Sequence, residues 1–279
     1  MAGRFSNSFA LVKASANVLR LDKELLVFPL MSGVATVLVA ASFIAPIFMI
    51  GPEIFVEGEA ASYTAYVFGF SFYLVQYTVI FFFNAALVGA ALIRLDGGDP
   101  TVSDGLAIAS KRMGSIIGYA AIAATVGMVL RFIAERAGFL GRIIAGFMGL
   151  AWTLTTYLTV PILVTKDIGP IDAVKESIAI FKRTWGEQVI GNFGMGWAVA
   201  LMGISWTILG CLLIFVTASM GPVMMIPAVA IMVLGYIFLA LFASALQGIY
   251  TAALYRYAIT GEVGYFDADI MGNAFRPKK

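Results

Sequence analysis

Amide and hydroxyl side chains placed inside long apolar runs are the residues of this sequence best suited to a chemical role. In a bilayer such groups must find hydrogen-bond partners, either on a neighbouring helix or along a polar passage for a solute. Bonding between helices is the commoner of these outcomes, and both alternatives stay open here. We predict a polar core whose candidate residues are Asn84, Gln247, Thr155, Thr159 and Asn192.

Composition argues against most catalytic chemistries. The chain has no histidine, which removes Ser-His-Asp and Cys-His catalysis and His-ligated zinc. Its one cysteine, Cys211, cannot form an internal disulfide. No phosphate-binding G-x-x-x-x-G-K-[S/T] loop occurs, and a net charge of +2 is too small to favour nucleic-acid binding. We therefore predict a non-enzymatic protein with no cofactor and no nucleic-acid partner.

Three carboxylates on one segment, Asp96, Asp99 and Asp104, are the single grouping that could hold a hard cation such as Mg²⁺. The sequence Asp96-Gly97-Gly98-Asp99-Pro100 is also what a turn leading into a capped helix uses. Because the segment lacks the ligand spacing of a calcium-binding loop, we favour the turn and predict no metal site.

Long charge-free runs show which elements must carry these residues. From Gln188 to Tyr255 the chain has 68 residues without Asp, Glu, Lys or Arg, whereas roughly 20 apolar residues cross a bilayer. Hydrophobic residues make up 61% of the chain and charged residues 12%. We predict a polytopic, all-α membrane protein, with a tight turn at Ser219–Pro222 dividing the longest run. The six predicted spans are Leu26–Ile50, Tyr63–Ile93, Met113–Leu130, Ile143–Thr165, Val189–Ala218 and Val223–Tyr255.

The distribution of basic residues predicts the orientation. If both termini are cytoplasmic, the segments on that side hold 15 of the 18 Lys and Arg residues. The opposite side holds only Arg131, Arg136 and Arg142, and its first loop carries Glu53 and Glu57. Since cytoplasmic loops are enriched in Lys and Arg, we predict a multi-pass protein of the cytoplasmic (inner) membrane with both termini inside.

Each pair of predicted spans follows a segment in which apolar residues recur at helical spacing. The first segment has Phe5 and Phe9 on its apolar face, and the third ends at Trp185 with Lys182 and Arg183 on the opposed face. Helices of this kind lie in the membrane–water interface, or pack on the cytoplasmic ends of the protein's own spans. The candidate interfacial residues are Phe5, Phe9, Trp185, Lys182 and Arg183.

Matching patterns predict an internal repeat within a single transmembrane domain that covers residues 1–279. Lys111-Arg112 and Lys182-Arg183 are each followed by a glycine and then an Ile-Gly pair, and Ala-Ala-Leu-x-Arg ends two spans. We predict three hairpins, each preceded by an amphipathic interfacial helix. The predicted repeat units cover residues 1–95, 96–168 and 169–265, and a cytoplasmic tail covers residues 266–279.

Three stretches carry a resemblance to a known family. They are Lys182–Gln188 with Gly191–Gly194, Asp22–Pro29, and Tyr255–Gly261. In these stretches the chain resembles an uncharacterised six-span prokaryotic membrane family, similar to the membrane domain fused to some glycerophosphodiester phosphodiesterases. The resemblance implies a membrane location and a six-helix fold. It implies no activity, because the catalytic phosphodiesterase domain is missing from this sequence.

The functional expectation that follows is an integral membrane protein that binds or moves an apolar or lipidic solute. A scaffold that organises lipids or partner proteins is the alternative, and a membrane enzyme ranks third because acid–base groups are missing from the spans. The lipid bilayer is the predicted partner. Protein partners and a homo-oligomer remain open at this point.

Overall fold

The fold is a helical bundle. The computed structural model of the protein describes residues 2–50, 58–184, 194–219, 221–262 and 266. Every regular element in these ranges is a helix, which confirms the all-α prediction for this part of the chain.

Ten α-helices follow one another along the described residues, and a short 3₁₀ turn at Lys23–Leu26 leads into the second. Their bounds are α1 Ala2–Leu21, α2 Val27–Ile50, α3 Gly58–Leu95, α4 Val102–Lys111, α5 Met113–Arg136, α6 Gly138–Thr155, α7 Thr159–Thr165, α8 Pro170–Thr184, α9 Gly194–Ala218 and α10 Pro222–Thr260. The predicted turn between the last two spans is confirmed, since α9 ends at Ala218 and Gly221 adopts a φ of +94° before Pro222 opens α10.

Six helical segments of the described ranges are long and apolar enough to cross a membrane, as the sequence predicts. In the fifth and sixth of these only 6% of the most apolar stretch is buried within the protein. Over that stretch the two helices expose apolar side chains, as helices that contact lipid do. The segments are Lys23–Met49, Tyr63–Leu95, Met113–Arg136, Gly138–Thr165, Ala198–Ala218 and Val223–Thr260.

The long helices α3 and α10 form the centre of the bundle. α3 packs against α2, α4, α5, α7 and α10, and the pairs α5–α6 and α9–α10 also pack closely. Small residues permit this approach: Ala85, Ala86, Ala90 and Ala91 of α3 are buried, and any side chain at Gly248 of α10 would collide with Leu87. The core therefore lies where these two helices cross.

Ion pairs tie together one end of the bundle, which we call the near side; it holds α1, α4, α8 and the last residues of α3 and α10. Arg94 pairs with Asp22 and Asp99, and Arg256 pairs with Asp96 and with another carboxylate, that of Glu262. The opposite end is the far side. The two arginines thus join segments that are distant in sequence at one surface.

The three carboxylates weighed above as a cation site have other roles. Asp96 and Asp99 pair with arginines, and Asp104 forms a capping box with Thr101 at the start of α4. Among the described residues no group of three acidic, cysteine or histidine side chains is placed to hold a metal ion. The helix that follows begins at Val102, two residues later than Asp99-Pro100 suggests, because Thr101 rather than Asp99 is its N-cap.

Lys166 pairs with Glu176, ten residues away along the chain, and not with its neighbour Asp167. Asp167 instead pairs with Arg112. Packing of α8 across the ends of α5 and α7 brings these longer-range partners together.

Candidate functional site

The fourth span is broken in its middle. α6 ends at Thr155 and α7 begins at Thr159, although the sequence predicts one continuous span there. The physical cause is Pro161, which has no N–H to donate to the carbonyl of Tyr157 and whose ring crowds that carbonyl. A non-helical stretch at membrane depth is tolerated only when its backbone groups find partners inside the protein.

Some of these partners lie within the turn, where the N–H of Tyr157 donates to the carbonyl of Leu154 at 3.4 Å and that of Thr159 donates to the carbonyl of Thr156 at 3.0 Å. Ser177 of α8 supplies the others. Its hydroxyl is buried, donates to the carbonyl of Thr155 at 2.7 Å and accepts from the N–H of Leu158 at 3.2 Å. One side chain therefore bridges the last turn of α6 and the residue before α7. The break is a built feature of the fold, held from outside the span by a near-side helix.

The threonines beside the break turn their hydroxyls inward. Thr155 donates to the carbonyl of Ala151 at 2.8 Å, and Thr156 donates to that of Trp152 at 2.8 Å. Thr159 is fully buried, and its hydroxyl lies beside that of Tyr119 without the geometry of a strict hydrogen bond. Thr155 is therefore bonded within its own helix, while Thr159 is buried beside Tyr119.

Tyr157, inside the break, meets α10 at a small polar cluster. Its hydroxyl oxygen lies 2.8 Å from Nε2 of Gln247 and 2.9 Å from Oγ1 of Thr251. Thr251 also donates to the backbone carbonyl of Gln247 at 2.8 Å. The tyrosine oxygen therefore accepts from the Gln247 amide and from the Thr251 hydroxyl, whose one proton is shared with the Gln247 carbonyl. We call these three residues the Tyr157–Gln247–Thr251 cluster.

Gln247 is exposed at the surface of the bundle, although it belongs to a membrane-length helix. One amide N–H is used by Tyr157. The second N–H and the carbonyl oxygen make no hydrogen bond within the described part of the chain. An exposed amide on a membrane-length helix with unused hydrogen-bonding groups is a candidate point of contact for a solute.

The other predicted polar-core residues are arranged differently. Asn84 is half-buried in α3, and the described residues include no hydrogen bond from its side chain. The amides of Asn84 and Gln247 are not bonded to each other. Asn192 lies outside the described residues. The sequence analysis does not identify Tyr157 as a member of the polar core. The available signal is its position among threonines, four residues before Pro161.

Aromatic rings form a column that leads from the far side to the break. On α3, Tyr73 stacks on Tyr77 with ring centroids 6.1 Å apart, and Tyr77 stacks on Phe81 at 5.7 Å. Phe81 stacks in turn on Tyr119 of α5 at 4.5 Å. The guanidinium of Arg131 donates to the Tyr73 hydroxyl at 3.1 Å. Tyr73, Tyr77 and Phe81 are four residues apart and therefore lie on one face of α3. The stacked rings pack α3 against α5.

α6 and α10 expose apolar side chains on their outer surfaces. α6 packs mainly on α5 and α8, and within the described residues it has no extensive contact with α9 or α10. Phe147 of α6 is 69% exposed and Ile237 of α10 is 51% exposed. Exposed apolar surface of this kind is suited to contact with lipid chains.

The candidate interfacial residues lie on the near side where they are described. Phe9 of α1 is 53% exposed, while the opposite face of that helix packs on α9 and α10. Lys182 and Arg183 of α8 are exposed, and Arg183 donates to the carbonyl of Ala258 at 3.5 Å. Trp185 and the Phe5 side chain lie outside the described residues.

Three ionisable near-side groups outside the spans have shifted pKa values. Burial raises the pKa of Asp22 above its usual value, although the guanidinium of Arg94 acts in the opposite direction. Hydrogen bonds from the backbone and hydroxyl of Thr101 lower the pKa of Asp104. A hydrogen bond to Glu176 raises the pKa of the Lys166 ammonium. These groups set the pH response of the near side.

Comparison with known proteins adds one match. Residues 63–265 match the model of DUF6159, a family of unknown function. The chain belongs to the DUF6159 family. The DUF6159 match runs from α3 past the end of α10 and includes the break, the cluster and the aromatic column, while α1 and α2 precede it. No curated protein and no solved structure matches the chain.

Proposed function

We propose that this DUF6159 protein is a non-enzymatic membrane protein that binds an apolar or lipidic solute beside the Gln247 amide. The observation that carries the proposal is the exposed Gln247 amide, hydrogen-bonded to Tyr157 at the break in the fourth span. Broken membrane helices are the usual binding elements of secondary transporters. Movement of the bound solute across the bilayer is the natural extension of such a site.

Exposed apolar side chains on α6 and α10 support an apolar solute. Ile144 and Phe147 on α6 and Leu234 and Ile237 on α10 are all at least half exposed. In a bilayer, lipid chains cover such surfaces. A solute with a long apolar part can therefore take the place of a lipid there without displacing any helix contact.

We propose the arrangement in the membrane on combined grounds. Three hairpins, α2–α3, α5–α6 and α9–α10, are each preceded by an amphipathic interfacial helix, and both termini lie in the cytoplasm of a prokaryotic cell. Close packing within each pair, the location of α1, α4 and α8 on one side, and the basic-residue bias support this arrangement. The resemblance to a membrane domain fused to glycerophosphodiester phosphodiesterases remains a prediction that agrees with lipid handling.

Native mass spectrometry of the purified protein tests the binding proposal. After detergent exchange, the wild type is expected to retain a one-to-one lipid adduct that is lost in Gln247→Leu and in Tyr157→Phe. Thr207→Val is the matched control, because Thr207 bonds to Tyr236 between α9 and α10, and neither residue contacts Gln247 or Tyr157 through a described hydrogen bond. An adduct retained equally by all three variants, or no adduct in the wild type, would overturn the proposal.

A scaffold role is the second candidate, and one feature of α8 favours it. Ile171 is 60% exposed there, and the same helix exposes Lys175, Lys182 and Arg183. An exposed apolar and basic helix is suited to anionic lipid at an interface. Replacement of Lys182 and Arg183 by Gln would then reduce co-purified anionic lipid without changing the adduct that depends on Gln247. If the two replacements leave the lipid composition unchanged, α8 does not recruit anionic lipid.

A further inference from the structure

The interior of the break in the fourth span is held by hydrogen bonds of the 3₁₀ type. The N–H of Tyr157 reaches back three residues to the carbonyl of Leu154, and the N–H of Thr159 reaches back three residues to that of Thr156. An α-helix instead bonds each N–H to the carbonyl four residues earlier. A 3₁₀ stretch inside a longer helix is a common hinge, because a small change of backbone angles returns it to the α form.

A continuous α-helix would satisfy the backbone of the break without any help from α8. In the structure the hydroxyl of Ser177 bonds the carbonyl of Thr155 and the N–H of Leu158. With four-residue spacing, the N–H of Leu158 would donate to the carbonyl of Leu154, and the N–H of Thr159 would donate to that of Thr155. The two groups that Ser177 bonds therefore have a second set of partners inside the span itself.

Pro161 weakens the continuous form without forbidding it. Pro46 lies inside α2 and Pro227 lies inside α10, and both of these helices continue through their proline. A proline within a helix removes one hydrogen bond and bends the axis. The fourth span therefore has two bonded forms, one broken and one continuous, as a two-state element requires.

The packing of α8 keeps the two halves of the span in the broken form. α6 packs mainly on α5 and α8, whereas α7 packs on α3, α8 and α10, so within the described ranges α8 is the helix that packs extensively on both halves. Conversion of three residues from 3₁₀ to α geometry would turn α6 against α7 by about 60°. α8 cannot stay packed on both halves through such a turn, so the span stays broken while α8 is in place.

We propose that α8 is a latch that keeps the fourth span broken, and that displacement of α8 on the near side converts Gly138–Thr165 into one continuous helix. This conversion goes beyond the proposed solute binding and does not depend on it. Tyr157 lies inside the break, so the turn of the backbone moves its side chain away from Gln247 and ends their hydrogen bond. A change on the near side thereby reaches the polar cluster inside the bundle.

Gly118 of α5 is the position from which α8 can be displaced without touching the break. The three atoms nearest to a Cβ built at Gly118 all belong to Pro170, the first residue of α8, and the closest is 2.7 Å away. A proline ring cannot swing aside, so Gly118→Leu must push the start of α8 away from α5. Gly114 lies one turn earlier on α5 and has no neighbour within 4 Å, which makes Gly114→Leu the matched control.

Double electron–electron resonance measures the response of the span in nanodiscs. Spin labels are placed at Arg142→Cys on α6 and Val223→Cys on α10, both exposed positions on the far side, in a Cys211→Ser background. Gly118→Leu is expected to shift the main distance by about 3 Å, which is the displacement that a 60° turn and the change of rise give at the helix backbone. Gly114→Leu is expected to keep the wild-type distance.

Pro161→Ala shows whether the shifted form is the continuous helix. Added to Gly118→Leu, it restores the missing N–H and should raise the ratio of shifted to unshifted distances by about tenfold or more. A shift that Pro161→Ala leaves unchanged would reflect crowding alone and overturns the continuous form. A wild-type distance in Gly118→Leu overturns the latch.

Gly118→Ala keeps the test available if the leucine variant does not fold. It adds only the Cβ that meets Pro170, and it should give a smaller share of the same shifted distance. A wild-type distance in this variant, with Pro161→Ala added, also overturns the latch. The lipid adduct is measured separately, so failure of the latch leaves the proposed function standing.

Discussion

At the scale of residues, the protein concentrates its polar chemistry where one span is interrupted. Ser177 forms hydrogen bonds with the Thr155 carbonyl and the Leu158 N–H on either side of the break, and Tyr157 connects the break to α10. Groups of this kind cost little while they are bonded and much when one partner is removed, because hydrocarbon offers no replacement. Single substitutions here therefore separate stabilising groups from those available to a solute.

Ser177→Ala is expected to lower the stability of the protein by about 2 kcal/mol, because it leaves the Thr155 carbonyl and the Leu158 N–H unbonded in a buried place. The measurement is the melting temperature in detergent. Ser205→Ala is the control, since that serine is exposed and bonds only to a carbonyl of its own helix. Equal losses for the two variants would mean that Ser177 does not hold the break.

Gln247→Leu and Tyr157→Phe are expected to show a coupling energy of about 0.6 kcal/mol in a double-mutant cycle, the average for hydrogen bonds between membrane helices. Asn84→Leu provides the comparison, because its amide has no bond to Tyr157 and should show no coupling with Tyr157→Phe. Additive effects of Gln247→Leu and Tyr157→Phe would contradict the hydrogen bond between Tyr157 and Gln247.

At the scale of elements, the short helices α4 and α8 fix the ends of the long ones. α4 starts at a complete capping box, with Thr101 and Asp104 bonded to each other's backbone, and Glu24 accepts a further hydrogen bond from the N–H of Val102. The element is thereby joined to the entrance of α2. Its helical start depends on charge, because Asp104 accepts these bonds best when ionised.

Thr101→Val is expected to lower stability by about 1 kcal/mol at neutral pH through loss of the N-cap. The deficit should shrink at acid pH. Since the folded pKa of Asp104 lies below the unfolded value of 3.8, its contribution is complete above that value and is lost as pH falls through the folded pKa. Melting curves of the wild type and of Thr101→Val at pH 7 and at pH 3 measure this deficit. A deficit that does not change with pH would contradict the role of Asp104.

Sequence patterns predicted the elements better than their contacts. Apolar runs identified all six membrane-length helices, because length and composition are local properties. Pro161 alone does not predict an interruption of its helix, because Pro46 and Pro227 lie inside helices that continue without a break. The pair Tyr157–Gln247 joins residues 90 positions apart, and only the packing of α7 and α10 brings them together.

At the scale of the whole molecule, the polar groups divide between two levels. Among the described ion pairs, Arg131–Glu135 lies on the far side and the others lie on the near side, while the Tyr157–Gln247–Thr251 cluster is uncharged and lies between the two ends. This division is what a membrane protein requires, because charge is tolerated at the interface and costly in the hydrocarbon. The proposed orientation places the near side in the cytoplasm.

Cysteine labelling checks that orientation. In a Cys211→Ser background, Ser103→Cys on the near side should react with a membrane-impermeant maleimide only after cells are permeabilised. Arg142→Cys on the far side should react in intact cells, because both positions are exposed and lie at opposite ends of the bundle. Reaction of both cysteines in intact cells would rule out the six-span arrangement with both termini inside.

The most direct test of the central claim is a cryo-electron microscopy structure of the protein in lipid nanodiscs. We expect ordered solute density whose polar end lies within hydrogen-bonding distance of the Gln247 amide. A structure in which density at Gln247 is no stronger than that of the surrounding annular lipid would contradict a solute site at the broken span.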